Sequence, residues 1–99
     1  VRERTERNLA ALRQVMAGSA ASVLDVEGGW YAILRLPAVH HDEAWALSFL
    51  EHDDVLVQPG FFYDLDFATC VVLSLITEEH TFREGIERIA RRIGREITR

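Results

Sequence analysis

The sequence predicts a small α+β domain, with an antiparallel-type sheet and helices packed on one of its faces. Three segments carry apolar residues at helical spacing, and four short apolar runs, set off by glycine, proline or polar residues, have the character of strands. The fourth run follows the third after a short loop, which indicates antiparallel neighbours. The predicted element order is α-β-β-α-β-β-α, and 99 residues are enough for one core.

The first helix is predicted over residues 2–17. Leu9, Leu12 and Met16 recur on one face, and Gly18 stands where a helix C-terminal cap is expected. Arginines and glutamates are interleaved on the remaining surface, which favours a solvated, ion-paired face over an anion site.

Residues 22–26 and 30–36 are predicted as two strands, the second ended by Pro37. Gly28 and Gly29 separate them, either as a tight connection or as a place where a ligand or another backbone comes close. Alternation along the second strand predicts the residues that face the helices: Trp30, Ala32, Leu34 and Leu36. The opposite face carries Tyr31, Ile33 and Arg35.

A second helix is predicted from Asp42, capped by Asp42 itself or by the histidine before it, to about Glu51. Its apolar stripe consists of Trp45, Ala46, Phe49 and Leu50. The adjacent His40 and His41 lack a convergent spacing with the acidic residues near His52, so no metal site is predicted.

The third strand is predicted as Val55, Leu56 and Val57, buried on both faces and ended by Pro59. Gly60 then allows a turn that carries an aromatic loop past the sheet edge. That loop contains Phe61, Phe62 and Tyr63.

Residues 69–76 are the fourth predicted strand, and Thr77 is expected to cap the third helix ahead of Glu78 and Glu79. The helix has one apolar face, made of Phe82, Ile86, Ile89, Ala90, Ile93 and Ile97. Gly94 is a candidate for an early end.

Composition excludes several classes of function. A net charge of −5 argues against nucleic acid and anionic membranes as partners. No apolar run approaches the roughly 20 residues that span a bilayer and no signal peptide is recognisable, so a cytoplasmic location is expected. All eleven basic residues are arginine, so the chain cannot itself form a lysine Schiff base.

No catalytic residue is predicted within the chain. Ser74 and Cys70 lie in an apolar strand without a histidine motif beside them, and Cys70 is interpreted as a small buried hydrophobe. The paired aspartates are interpreted as solvated loop residues, and no phosphate loop, dinucleotide fingerprint or zinc spacing occurs.

Several motifs in order resemble the C-terminal small domain of class I/II aminotransferases, which are pyridoxal-phosphate enzymes of fold type I. They are Asn8-Leu9-Ala10-Ala11-Leu12, Val26-Glu27-Gly28-Gly29-Trp30-Tyr31, the helix from Asp42 to Leu50, Val55-Leu56-Val57-Gln58-Pro59-Gly60, and Val72-Leu73-Ser74-Leu75 before Glu78-Glu79. The resemblance implies that residues 1–99 form one domain of a longer enzyme, which agrees with a chain that starts at Val1 without a methionine. It implies that the Schiff-base lysine and the pyridoxal phosphate site lie in an N-terminal large domain.

The resemblance also implies a homodimeric parent that acts on a small amino-acid or amine substrate. It places Gly29 and Trp30, and the loop of Phe61, Phe62 and Tyr63, near the substrate as contacts rather than catalysts. The alternative is a free-standing α+β ligand-binding or regulatory module whose aromatic loop binds an effector.

The sequence departs from the family pattern at Val72. The family usually has an arginine there, which holds the substrate carboxylate through a bidentate guanidinium. Valine cannot do so, and Arg35 is the only nearby strand arginine.

Overall fold

The predicted order of helices and strands is confirmed by a computed structural model that describes residues 2–24, 29–60 and 69–98. In chain order the elements are α1 (Arg2–Met16), β1 (Ser22–Leu24), β2 (Tyr31–Arg35), α2 (Asp42–Asp53), β3 (Gln58–Pro59), β4 (Cys70–Ser74) and α3 (Glu79–Ile97). Within these ranges no helix is long and apolar enough to cross a bilayer.

The four described strands form one sheet in the order β1-β2-β4-β3, and every neighbouring pair is antiparallel. In the register of the central pair, Ile33 of β2 lies opposite Val72 of β4. Val72 is also opposite Gln58 of β3. The predicted antiparallel return of β4 beside β3 is therefore confirmed.

All three described helices pack on one face of this sheet, as predicted. Alternate residues of β2 and β4, among them Leu34, Val71 and Leu73, are buried in the same cluster as side chains from each helix. The largest fully buried helical side chains of that cluster are Leu12, Trp45, Phe49, Ile86, Ile89 and Ile93. Leu50 and Ile97 were also expected in these stripes, but each is exposed.

The prediction of a third strand at Val55–Val57 is wrong. The segment precedes β3, and Leu56 is 72% exposed rather than covered on both sides. Pro59 does not stop the strand but belongs to it, opposite Val71. A proline is tolerated here because β3 is at the edge of the sheet. On an edge strand the proline nitrogen, which carries no hydrogen, can point to the side that has no neighbouring strand.

Two details of α3 also differ from prediction. The carboxylate of Glu78, not the hydroxyl of Thr77, caps the helix by accepting hydrogen bonds from the backbone amides of His80 and Thr81. Gly94 does not end the helix, which continues to Ile97. The buried Ile93 just before Gly94 keeps that last turn attached to the core.

Asn8 of α1 is a buried polar residue that the sequence pattern did not reveal. It is 2% exposed, and its Nδ2 donates to the carbonyl oxygens of Leu75 and Thr77, each at 2.8 Å. These carbonyls lie between β4 and α3, so one amide fastens α1 to the junction of the sheet and the last helix.

A second polar network joins α2 to α3. The Arg92 guanidinium donates to both carboxylate oxygens of Asp53, at 3.1 and 3.4 Å, and lies 3.6 Å from a Glu96 carboxylate oxygen. The other oxygen of Glu96 is 2.7 Å from Nε2 of His40. Hydrogen bonding to Asp53 raises the pKa of Arg92, so the guanidinium remains charged.

Candidate functional site

The sheet has a second face, turned away from the helices, which we call the outer face. Its residues alternate with the core residues along each strand. The register places outer-face residues of neighbouring strands opposite one another. They are Ser22, Leu24, Tyr31, Ile33, Arg35, Gln58, Cys70, Val72 and Ser74.

The centre of the outer face is apolar and largely shielded from water. Val72 is 4% exposed, Cys70 is fully buried, and Ile33 is half-buried. Val72 therefore occupies a packed hydrophobic site.

Cys70 is held in this layer by close contact with the backbone at Gly60. A Cβ on Gly60 would lie 2.9 Å from the Cys70 carbonyl oxygen and 3.0 Å from its Cβ, so only glycine fits. Burial raises the pKa of the Cys70 thiol, partly offset by the nearby charge of Arg35, while Asp42 raises it further. The thiol is therefore neutral at physiological pH, in agreement with a packing role rather than a nucleophilic one.

Arg35 is the one cation on the outer face within the described residues. It is exposed, ends β2, and lies opposite both Cys70 and Ser22. Among the described residues it makes no ion pair, in contrast to Arg2, Arg7 and Arg92.

Gly29 and Trp30, two of the predicted substrate contacts, lie at the entrance to β2. Gly29 has a φ of 98°, a left-handed conformation that favours glycine. Trp30 was expected to face the helices within a strand, but it precedes β2 and is 66% exposed. Its carbonyl oxygen accepts a 2.7 Å hydrogen bond from the Leu75 amide, which fixes the backbone while leaving the indole in solvent.

These two residues border an open groove of about 680 Å³ between β2 and the start of α1. Thr5 and Leu9 of α1 form part of the opposite wall. Both apolar and charged groups line the groove, because Arg2, Glu6 and Arg13 also reach it. The structure therefore brings Gly29 and Trp30 together at a concave, accessible surface.

The other predicted contacts, Phe61, Phe62 and Tyr63, lie outside the described residues. Their placement near the substrate stays a prediction. Arg35 was singled out from the sequence only as a nearby strand arginine. Its position on the same sheet face as Val72 required the strand register, which composition does not contain.

Of the histidines near α2, His40 is half-buried and packed, whereas His41 and His52 are exposed. His40 contacts Glu96 and meets the edge of Trp45, with the ring centroids 5.0 Å apart. The described ranges contain no group of three or more histidine, cysteine, aspartate or glutamate side chains arranged to hold a metal ion.

Comparison with known proteins gives matches among solved structures. No family model and no curated protein sequence matches the chain. An aromatic aminotransferase from Pyrococcus horikoshii superposes with a TM-score of 0.85 at 18% identity, over 97% of this chain and 26% of its own. An aspartate aminotransferase from Rhodobacter sphaeroides gives 0.82 at 22% identity, over 94% of this chain and 24% of its own.

A pyridoxal-phosphate-dependent aminotransferase from Streptococcus suis gives a TM-score of 0.83 at 24% identity, over 95% of this chain and 25% of its own. The chain thus spans about a quarter of the length of each of these enzymes. At such identities the likeness establishes the fold: the 99 residues have the fold of a small domain found in aminotransferases. The resemblance seen in the sequence is confirmed at that level.

Proposed function

We propose that this chain is the small domain of a class I/II pyridoxal-phosphate-dependent aminotransferase, whose full-length form transfers amino groups. The observation that carries the proposal is the superposition of nearly the whole chain on one quarter of several aminotransferases, at TM-scores of 0.82 to 0.85. The family motifs in the sequence support it independently, because they occur in the expected order along the same residues.

The chain does not by itself fit covalent attachment of pyridoxal phosphate. Attachment through a Schiff base needs a lysine amine, and all eleven basic residues here are arginine. We therefore assign the cofactor to an N-terminal large domain outside these residues. When bound there, the cofactor supplies the electron sink for chemistry at the carbon that carries the amino group.

In this proposal the small domain binds and orients substrate. Gly29 and Trp30 form one side of the pocket, with Phe61, Phe62 and Tyr63 as further contacts. The exposure of Trp30 and its neighbour Tyr31 supports this role, since apolar side chains grouped on a surface commonly mark a place where something docks. Closure of the two domains would cover these side chains and exclude water from the substrate. A homodimeric, cytoplasmic parent and a small amino-acid or amine substrate complete the proposal.

The experiment is to locate the cofactor on the full-length protein. The protein is incubated with pyridoxal phosphate, reduced with borohydride, digested and mapped by mass spectrometry. The proposal expects one modified lysine outside these 99 residues. The isolated chain is the control, and it should carry no adduct on a side chain. A full-length protein that binds no cofactor, or a stable side-chain adduct within the chain, would overturn the proposal.

A further inference from the structure

We propose that the groove between α3 and residues 54–57 is a self-association site, in which Leu56 of one copy of this chain enters the groove of a second copy. The inference does not rest on the proposed function, because it names a contact between two copies of the chain rather than a contact with substrate. Three features of the surface support it: the shape of the groove, the exposure of Leu56 and the charges on the rim.

The groove has a volume of about 360 Å³ and a largely apolar lining. Residues 55–57 form one side, and residues of α3, among them Gly85 and Ile86, form the other. A Cβ added to Gly85 would meet Val55 at 3.7 Å, an ordinary contact, so packing within the chain does not require glycine there. Because glycine weakens a helix relative to alanine, its presence favours a surface that another molecule approaches closely.

Leu56 stands at the edge of this groove with its side chain in solvent. It is 72% exposed, more than any other large apolar side chain among the described residues. Val55 is half-buried and Val57 is buried, so the chain presents Leu56 outward while the residues on both sides of it are anchored. An exposed apolar side chain beside an apolar groove is complementary to a second copy of the same surface, as a two-fold interface requires.

The charges on the rim of the groove also suit a two-fold pair. Glu84 and Arg88 are exposed, both line the groove, and they lie one helical turn apart on α3. A two-fold axis perpendicular to α3, near Ile86, sets the two helices in opposite directions. Glu84 of each copy then meets Arg88 of the other, so the surface is complementary to itself in charge.

Neither of these charges is held in a buried contact within the chain. Glu84 lies 3.4 Å from Nε2 of His80, and Arg88 donates to the carbonyl oxygen of Asp53 at 3.3 Å, both on the exposed surface. Asp54 adds a third charge to the rim, and no ion pair joins it to Arg88 among the described residues. A carboxylate and a guanidinium with several donors therefore face a second copy.

The surface is small, so the association should be weak and reversible. Contacts that bury less than about 1,200 Å² are typical of transient complexes. The two symmetry-related leucines should supply most of the affinity, since burial of an apolar side chain contributes more than an exposed ion pair.

Sedimentation equilibrium of the 99-residue chain tests the proposal, at concentrations that bracket dissociation constants of about 10 µM to 1 mM. The whole chain is used because its core draws on all three described helices and the sheet. Leu56→Ser removes the inserted side chain, and Gly85→Leu fills the groove from within. Leu47→Ser is the matched control, a leucine of α2 that is 52% exposed and does not line the groove. Thermal unfolding is recorded for each variant.

The wild type should form dimers. Leu56→Ser and Gly85→Leu should each raise the dissociation constant by at least about 10-fold, because each removes the same apolar contact twice in a two-fold dimer. Leu47→Ser should leave the constant unchanged. Neither groove variant should lower the melting temperature by more than about 2 °C, since Leu56 is exposed and a Cβ fits at position 85.

Exchange of the rim charges tests the two-fold arrangement itself. Glu84→Arg and Arg88→Glu should each raise the dissociation constant by about 3- to 10-fold at low salt, because each variant alone sets like charges together. An equimolar mixture of the two variants should recover the affinity of the wild type, since every rim contact in the mixed dimer joins opposite charges.

A wild type that stays monomeric over the whole concentration range overturns the proposal. Association that Leu56→Ser leaves unchanged, or that Leu47→Ser weakens equally, also overturns it. A mixture of the charge variants no tighter than its components refutes the two-fold pairing. In the full-length protein, protection of Leu56→Cys from a thiol reagent at every dilution would show that another part of the same chain covers the groove, which again excludes a second copy. None of these outcomes bears on cofactor attachment, so the proposed function is tested separately.

Discussion

Replacing Asn8 by leucine should destabilise the domain more than any other single polar substitution in α1. Asn8 is 2% exposed, and its amide donates to two carbonyl oxygens at the junction between β4 and α3. Leucine has the same number of side-chain heavy atoms and the same branching at Cγ, so the change leaves no cavity and tests the hydrogen bonds. It leaves the carbonyls of Leu75 and Thr77 without that donor.

The expected magnitude follows from the burial of each bond. The bond to Leu75 is buried, and leaving its acceptor unsatisfied costs about 1–3 kcal/mol. The bond to Thr77 is partly buried, and its loss contributes about 0.5–1.5 kcal/mol. The free energy of unfolding should fall by about 1.5–4.5 kcal/mol, a large share of the roughly 5–15 kcal/mol typical of a domain. The melting temperature should fall by about 10 °C or more.

Urea unfolding of the 99-residue chain, followed by tryptophan fluorescence, measures this change. Gln14→Leu is the control, since Gln14 is exposed on the same helix and its replacement should stay within about 0.5 kcal/mol. Asn8→Asp should be worse than Asn8→Leu, because it sets a carboxylate against two carbonyl oxygens. A leucine variant as stable as the wild type would show that the junction is held by packing alone.

Three further predictions concern other contacts. Arg92→Leu should lower the free energy of unfolding by about 3 kcal/mol, because it leaves the nearly buried carboxylate of Asp53 without its partner. Adding Asp53→Leu should restore part of that loss. Additive losses in this double-mutant cycle would contradict the coupling of the two residues. Backbone hydrogen bonds from His80 and Thr81 hold the pKa of Glu78 below its ordinary value of 4.5. The ionised Glu78 side chain therefore stabilises the folded domain fully above pH 4.5. This contribution is lost as the pH falls through the lower pKa of the folded state. Glu78→Gln should therefore flatten stability against pH in that acid range, and an unchanged profile would refute the role of the cap. Val72→Arg in the full-length protein should lower the melting temperature by burying a guanidinium without a prepared counter-charge, with no gain in kcat/KM for amino acids; a gain at unchanged stability would show that valine merely vacated a working site.

The fold could be predicted because its signals are local and repeated. Helical spacing of apolar residues identified all three described helices, and α3 shows it most clearly through Phe82, Ile86, Ile89 and Ile93. The failures lie where local pattern and tertiary placement disagree. Three apolar residues at Val55–Val57 have the pattern of a buried strand, yet Leu56 is exposed and strand pairing occurs at Gln58–Pro59.

The candidate site was less predictable because it depends on which residues meet across strands. The Gly28-Gly29 pair predicted a tight connection or a close approach of another group, and the positive φ of Gly29 agrees with a conformation that favours glycine. The exposure of Trp30 could not be predicted, because an alternating pattern continues past the point where the strand begins. The relation of Arg35 to Val72 needed the register of β2 against β4. Asn8 stood in one of the motifs of the resemblance, but its burial was not predicted, since a polar residue in a charged helix is expected on the surface.

The proposal that these residues belong to an aminotransferase is tested by measuring amino-group transfer by the full-length protein. The purified protein is supplied with pyridoxal phosphate, an amino donor and a keto-acid acceptor, and formation of the new amino acid is measured by chromatography with and without the cofactor. We expect cofactor-dependent transfer from at least one donor. A protein that binds pyridoxal phosphate nowhere and transfers no amino group from any donor would contradict it.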